Sequence, residues 1–369
     1  MPSTPTRKEP HALTPPKRCV EEGYGANLLR VLQPTSAYDT YWRFAAERQR
    51  VFHARLTGVP EPWTVDPILR QYRFTNAYRA SDRVSQYLIQ VVQYGSERPT
   101  TAREVVFRTL LFKVFNRIET WAMLENALGP IRWEGFDEDA AIAVLDRAMT
   151  KGRRVYSAAY IMPPVGGSAP GGAKHEGHIR LISRAMRDGL AEDVCRADSL
   201  EAVYRRLRAV PSFGPFLAFQ FAVDLNYTAH LDHDENDFVV AGPGALDGIA
   251  KCFANSSAVD PAEIIEIMRR RQRVEFDRLR IDFPDLWGRP LHLIDCQNLF
   301  CEISKYARVQ HPELVGASGR TRIKQAFRSR PDLLHVWYPP KWGINGRLPT
   351  VEAAADQDLF GPVSAWSAR

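Results

Sequence analysis

The segment 210–221 constrains the fold of this chain more than any other, because it combines a tight turn with an apolar helix that starts directly after it. The turn is Pro-Ser-Phe-Gly-Pro at 211–215. Proline suits the first position of a helix, where the amide has no intrahelical partner, so the spacing predicts a helix that begins at Pro215. Backbone N–H groups at such a turn form a concave site for an anion such as phosphate. The alternative is an ordinary helix N-terminus.

This turn resembles the hairpin of helix-hairpin-helix DNA glycosylases, which holds one phosphate of the DNA backbone. The resemblance implies phosphate contacts at Ser212, Phe213, Gly214 and Phe216. Bifunctional glycosylases carry a lysine near the start of the second helix, where it forms a Schiff base with the sugar. Phe216 stands at that place, so we expect hydrolysis without strand cleavage.

An acidic cluster, Asp-His-Asp-Glu-Asn-Asp at 232–237, follows the hairpin. In the glycosylase superfamily the aspartate that attacks the sugar–base bond lies on the loop beyond the hairpin. Asp234 falls at the matching spacing and is the first catalytic candidate, with Asp237 second. A carboxylate there can stabilise the cationic sugar or align water. Four acids near DNA phosphates repel them, so a purely binding role leaves the cluster unexplained.

Composition restricts the class of protein. The chain has 369 residues, of which 45% are hydrophobic and 25% charged, as in globular proteins. A net charge of +6 favours a polyanionic partner. The five cysteines are scattered without metal-ligand spacing, and His230 and His233 lack further ligands, so we expect reduced thiols, no metal and no cofactor. No apolar run approaches a membrane span, and we expect a cytoplasmic protein.

The fold predicted from apolar periodicity is mainly α, a glycosylase-like helical fold with a few short strands. Residues 1–34 are predicted to be a flexible basic arm, 35–345 a helical domain with the hairpin and catalytic loop at 210–248, and 346–369 a tail. The strand candidate is 154–162. Helices are predicted at 41–56, 76–92, 103–128, 137–151, 178–190, 199–209, 215–225, 261–279 and 290–306.

A second candidate surface for DNA is the segment 72–83. In a helix, Asn76, Arg79 and Arg83 share one face, Asp82 reaches Arg79, and Tyr78 is available to stack on a base. The alternative is a solvated helix face. Lys174 and His178, which follow a Gly/Pro-rich loop, are further candidates for contacts to the substrate or to pyrophosphate.

The glycine-rich segment 242–248 looks like a nucleotide-binding loop but fails as one. It lacks the Gly-Lys-Ser/Thr ending of a P-loop and the third-glycine spacing of a Rossmann turn. The sequence therefore gives no support for an ATP site.

Three segments in order, 74–89, 237–245 and 297–306, resemble the glutamyl/putrescinyl-thymine pyrophosphorylase family. Its helical domain is also called the hydroxymethyluracil DNA kinase helical domain, and its members are described as DNA base hypermodification proteins. The similarity extends over about 38–345. The family is itself similar to helix-hairpin-helix glycosylases, including anti-phage enzymes that excise glucosylated pyrimidines.

The resemblance implies double-stranded phage DNA with modified bases as the partner, and no obligate protein partner is predicted. Because a base inside a duplex is unreachable, it must be flipped out. Our first expectation is a glycosylase that hydrolytically excises a hypermodified pyrimidine. The alternatives are a transferase that displaces pyrophosphate from a phosphorylated hydroxymethyl base with an amine, and a non-catalytic DNA-binding module.

Overall fold

The computed structural model describes residues 31–158, 162–165, 173–329 and 335–349. Within these ranges helices dominate, and no β-sheet forms. None of the described helices is both long and apolar enough to cross a membrane. The α-helices are α1 (Ser36–Leu56), α2 (Pro67–Gln71), α3 (Arg83–Tyr87), α4 (Ala102–Phe115), α5 (Ile118–Leu128), α6 (Glu138–Thr150), α7 (Lys174–Arg187), α8 (Leu190–Cys195), α9 (Leu200–Arg208), α10 (Pro215–Asn226), α11 (Pro243–Cys252), α12 (Pro261–Arg278) and α13 (Leu293–Gln310).

The prediction of a mainly α fold is confirmed, but the expected short strand is not. Over its described residues, 154–158 and 162, the chain forms no strand, and 159–161 lie outside the described residues. Val155 is 2% exposed, and its carbonyl accepts a hydrogen bond from the Thr120 hydroxyl. In this stretch the apolar side chains pack against helices, and the backbone does not pair with a strand.

Two predicted helices are interrupted. The helix predicted over 103–128 breaks between α4 and α5, where Asn116 adopts a left-handed φ of 47°. Asparagine tolerates that conformation better than most residues. The helix predicted over 76–92 starts with a 3-10 turn at Arg79–Ser81, followed by α3 and a π-helical turn at Leu88–Gln93. Helix α11 was not predicted at all.

Helix α10 lies at the centre of the molecule, since it joins two hydrophobic clusters. Phe219 and Val223 pack with α1, α11, α12 and α13, whereas Leu217 and Phe221 pack with α4 to α9. Every residue from Leu217 to Asn226 is buried. A helix whose apolar side chains face two clusters is buried between them, and its polar Gln220, Asp224 and Asn226 are buried as well. The second helix of the predicted hairpin is thus a rigid part of the core.

Both ends of the described chain pack onto the helical domain. Most of the predicted arm and tail lie outside the described residues. At the near edge of the arm, however, Leu32 is 1% exposed, and the Thr35 side chain caps α1. Near the other end, Tyr338 is fully buried. Residues 31–34 and 335–349 therefore pack onto the domain.

Candidate functional site

The predicted hairpin is present as α9, the connection 209–214 and α10. Ser212 takes a left-handed φ of 68°. The N–H of Phe213 donates to the Val210 carbonyl, and the N–H of Gly214 donates to the Ser212 carbonyl, each at 3.2 Å. The turn therefore uses for itself two of the N–H groups that we expected to face a phosphate.

The outer face of the turn is nevertheless open. A Cβ atom built on Gly214 meets no atom within 4 Å, although the Phe213 ring beside it is 1% exposed. The Ser212 hydroxyl donates to the Pro164 carbonyl at 3.2 Å. The first N–H groups of any helix have no intrahelical partner, so an anion can approach at the start of α10. Phosphate binding by residues 212–216 stays a prediction.

The acidic loop is packed directly on both helices of the hairpin. The ring of Phe238 lies 5.0 Å from that of Tyr204 on α9 and 5.9 Å from that of Phe219 on α10, measured between centroids. A Cβ atom on Gly242 would come within 2.5 Å of the Phe216 ring, so only glycine allows this approach. Asp237 immediately precedes Phe238. The structure therefore brings the two predicted parts of the site together.

Two of the four acids hold the loop in place. Glu235 is 6% exposed, and its carboxylate lies 2.9 Å from the Arg289 guanidinium. That guanidinium stacks 3.7 Å above the Trp342 ring. Asp232 lies 3.8 Å from the ammonium of Lys341. These two carboxylates are compensated by cations, and they explain half of the cluster without any catalytic role.

Lys341 closes the end of α10 and fixes the start of the acidic loop. Its ammonium donates to the carbonyls of Asn226, Thr228 and Leu231. Burial lowers the pKa of Lys341 below its usual value. The Asn226 side chain adds two hydrogen bonds of 3.0 Å to the backbone of His233. The loop before Asp234 is therefore held from both sides.

Asp234 and Asp237 are exposed, as Asp232 is, but within the described residues neither Asp234 nor Asp237 forms a salt bridge. One oxygen of Asp234 accepts the N–H of Asn236 at 2.8 Å. Burial lowers the pKa of His292 to about 3, and the negative charge of Asp234 opposes that shift. The assignment of Asp234 and Asp237 as catalytic residues stays a prediction.

Arg79 occupies a place that its predicted role does not fit. It is 4% exposed, and its guanidinium contacts both oxygens of Asp224, at 2.7 and 2.9 Å. The ammonium of Lys113 also reaches Asp224, at 3.1 Å. The expected pairing of Arg79 with Asp82 is wrong, since the Asp82 carboxylate accepts the N–H of Asn76 instead.

The shared helical face expected for this segment does not exist, because its residues belong to a loop, a 3-10 turn and α3. Tyr78 is 1% exposed, and its hydroxyl donates to the Arg289 carbonyl at 2.7 Å, so its ring is not available for stacking. The Asn76 amide donates to the Ser81 carbonyl at 2.7 Å. Arg83 is half-buried at the start of α3.

Lys174 and His178 lie around Tyr156. The Nδ1 atom of His178 accepts from the Tyr156 hydroxyl at 2.7 Å, and Nε2–H donates to the Pro163 carbonyl at 2.8 Å. Burial lowers the pKa of His178 to about 4, so the ring is neutral at physiological pH. The Lys174 ammonium lies 4.6 Å from the centre of the Tyr156 ring. A neutral His178 and an Arg79 already paired with Asp224 do not make the expected pyrophosphate site.

The three sequence segments that resemble one family converge around α10. The Asn298 amide donates to the Thr75 hydroxyl at 3.1 Å. A Cβ atom on Gly244 would lie 3.0 Å from the sulfur of Cys301. The amide of Gln220 on α10 donates to Gln297 at 3.3 Å. These motifs therefore form one packed unit behind the hairpin.

Residues 35–316 match the family described as "5-hmdU DNA kinase, helical domain". The chain belongs to this family. A relative from Bacillus phage SP10, named "5-hmdU DNA kinase", is 29% identical over 287 residues, which cover 73% of this chain and 44% of that protein. The chain thus spans less than half the length of this relative. No solved structure matches.

Sequence reasoning missed the residues that position the acidic loop, namely Glu235, Arg289, Lys341 and Trp342. The signal for Glu235 was its place in the cluster, but its partners come from distant parts of the chain. The family match includes Arg289 and ends before Trp342. Two cavities of about 350 and 560 Å³ are lined by residues around α4 and α8, and neither includes a residue of the hairpin or the acidic loop.

Proposed function

We propose that this chain binds duplex DNA whose pyrimidines carry a hydroxymethyl-derived group, and that it acts on one such base beside the acidic loop. The packing of Phe238 against both helices of the hairpin carries this proposal, because Phe238 directly follows Asp237 and so ties the acidic loop to a hairpin whose turn suits phosphate. Membership of the family, and the printed name of the phage relative, support 5-hmdU in DNA as the substrate class.

The reaction we favour is substitution on a hydroxymethyl base whose oxygen carries a pyrophosphate group. An amine nitrogen attacks the methylene carbon, the carbon–oxygen bond breaks, and pyrophosphate leaves with the electron pair. Asp234 or Asp237 accepts the proton that the amine loses. The sequence has no Gly-Lys-Ser/Thr motif, which supports a step that consumes a phosphorylated base over one that transfers phosphate from ATP.

Excision of the base is the second candidate. Asp234 is exposed and stands at the spacing of the glycosylase aspartate, so its carboxylate is able to stabilise the cationic sugar. Phe216 stands where a bifunctional glycosylase has its lysine. An excising enzyme of this kind therefore leaves an intact strand with an abasic site.

The two reactions differ in the mass of the product. Duplexes that carry 5-hydroxymethyluracil, its pyrophosphorylated form, or a glucosylated hydroxymethylpyrimidine are incubated with glutamate or putrescine, digested and analysed by mass spectrometry. We expect the pyrophosphorylated base to gain the amine and release pyrophosphate. A free base and an abasic site favour excision instead, and borohydride should trap no covalent adduct. Unchanged DNA in every case contradicts both reactions.

A further inference from the structure

A strip of positive charge runs along the segment 320–328, outside the residues that match the family. Arg320, Arg322, Lys324 and Arg328 are all exposed. No aspartate or glutamate occurs between 316 and 329. Within the described residues, none of the four cations forms a salt bridge. On several helices, by contrast, exposed arginines such as Arg180, Arg205 and Arg270 are each paired with an acid one turn away, whereas the strip has no acid in its own sequence.

The backbone of the strip is fixed to the body of the protein. The Arg73 N–H donates to the Gln325 carbonyl at 3.0 Å, and the Phe327 N–H donates to the Gln71 carbonyl at 2.9 Å. These bonds flank an antiparallel bridge between Tyr72 and Ala326. Side chains alternate along such an extended segment, so residues two apart point the same way at a spacing of about 7 Å.

The alternation separates apolar from charged side chains. Ile323 packs against the hydrophobic cluster around α13, and the Phe327 ring lies 6.4 Å from that of Trp63. Arg322 and Lys324 flank Ile323 and project into solvent. The strip therefore presents charge on a rigid edge, and its apolar residues are used for anchoring.

Neighbouring groups increase the positive charge. Arg70 and Arg73, on the segment that pairs with the strip, are also exposed. The Arg308 guanidinium donates to the Arg322 carbonyl at 3.1 Å, which adds a further cation beside the strip. The acids nearby are engaged elsewhere: Glu61 accepts from the Ser329 hydroxyl, and Asp247 is buried.

The strip is attached to the helix that follows the acidic loop. Asp247 on α11 accepts the N–H of Ser318 at 2.6 Å and the hydroxyl of Ser304. Its carboxylate would lie 2.3 Å from a Cβ atom on Gly316, so the chain must pass close to α11 there. Helix α11 begins at Pro243, directly after the loop that carries Asp237.

We propose that the strip of Arg320, Arg322, Lys324 and Arg328 binds the phosphodiester backbone of DNA and so adds a second contact surface to the hairpin. Guanidinium groups bind phosphate oxygens through two parallel hydrogen bonds, and regularly spaced cations suit a regularly charged polymer. An anionic membrane surface suits the strip less well, because its apolar side chains face inward and have nothing to insert. The inference rests on the proposed function only in taking DNA as the partner.

The test compares two triple variants with the same loss of charge. Arg320→Ala/Arg322→Ala/Lys324→Ala removes the centre of the strip. Lys151→Ala/Arg153→Ala/Arg154→Ala removes three exposed cations after α6. Binding to an unmodified duplex is measured by fluorescence anisotropy over a series of salt concentrations. We expect the strip variant to bind duplex about tenfold more weakly than the wild type. The slope of log affinity against log salt concentration should fall in magnitude by about 2 to 3, since each phosphate contact contributes about 0.9 to it.

Each outcome decides the proposal. An equal loss in the control variant assigns the effect to net charge and overturns it. If the strip variant binds duplex as tightly as the wild type, the strip proposal is overturned and the proposed function is not. If the wild type does not bind duplex at all, both the strip proposal and the proposed function are overturned. If it binds duplex but converts no base, only the proposed function is overturned. Loss confined to binding of vesicles with anionic lipid assigns the strip to membranes. If the alanine variant unfolds, Arg320→Gln/Arg322→Gln/Lys324→Gln gives the same comparison.

Discussion

At the scale of single residues, the carboxylates of the acidic cluster divide into two kinds. Glu235 and Asp232 lie beside Arg289 and Lys341, which compensate their charge and fix the loop. Asp234 and Asp237 are exposed. Because Asp234 and Asp237 have no cationic partner within the described residues, they are the pair that we assign to chemistry.

Asp234→Asn is expected to abolish conversion of the base while duplex affinity stays equal or improves. The change removes the proton acceptor, or the charge that stabilises a sugar cation, and also relieves repulsion of phosphates. Product mass and fluorescence anisotropy measure the two effects separately. Asp232→Asn, in the same cluster, is the control. If Asp237 is the acting group, Asp237→Asn shows the phenotype and Asp234→Asn is nearly silent; full activity in both contradicts the assignment.

His178 should make the protein sensitive to acid. Burial lowers its pKa to about 4 in the folded state, from an ordinary value of about 6.5. The unfolded chain therefore takes up the proton first, and stability is lost as the pH falls below about 6.5 towards about 4. At about pH 5 the loss from this one residue is about 2 kcal/mol.

Urea unfolding of the wild type and of His178→Gln at about neutral pH and at about pH 5 measures this loss. The free energy of unfolding of the variant should fall less between neutral pH and pH about 5 than that of the wild type. Asp82 has the opposite effect on stability, because burial raises its pKa to about 7. Since both proteins contain Asp82, its contribution cancels in the comparison. If both proteins lose the same free energy of unfolding on acidification, His178 is not the source of the acid sensitivity.

At the scale of elements, the hairpin was the most predictable part of the chain. The predicted helices 199–209 and 215–225 correspond to Leu200–Arg208 and Pro215–Asn226. Proline at N1 and the apolar run are local signals, so they survive in the fold. Helix α11 was missed because its Gly-Pro-Gly start resembles a loop. The glycines of this segment serve close packing: a Cβ atom on Gly244 would lie 3.0 Å from the Cys301 sulfur, and one on Gly248 would lie 2.0 Å from the Phe300 carbonyl oxygen.

Gly214→Leu is expected to weaken duplex binding roughly tenfold and equally for every DNA sequence, since phosphate contacts carry no sequence information. The backbone tolerates the change, because φ is −64° and no atom lies within 4 Å of the new Cβ. Anisotropy with several duplexes, over a range of salt concentrations, measures the loss. Gly346→Leu, which also meets no atom within 4 Å, is the control. Altered sequence preference, or binding insensitive to salt, argues against a phosphate site at the turn.

At the scale of the whole molecule, the interface between the two hydrophobic clusters contains a buried charge network that the sequence could not reveal. Arg79 was expected to face DNA, but its partner Asp224 lies 145 residues further along the chain. The apolar periodicity of a segment cannot reveal a contact with a residue so far away in the sequence. Burial raises the pKa of Asp224, yet the charges of Arg79 and Lys113 outweigh burial and hold that pKa below its usual value.

Asp224→Asn should therefore lower the free energy of unfolding by about 3 to 5 kcal/mol, because it leaves the charges of Arg79 and Lys113 buried without their counterion. Urea unfolding measures the loss, and Asp232→Asn, at a side chain that is 84% exposed, should stay within about 0.5 kcal/mol of the wild type. Replacing the whole network, as Arg79→Met/Lys113→Met/Asp224→Leu, should recover part of the stability, since no buried charge then remains. A loss below about 1 kcal/mol for Asp224→Asn would mean that water reaches the network and that α10 is held by apolar packing alone.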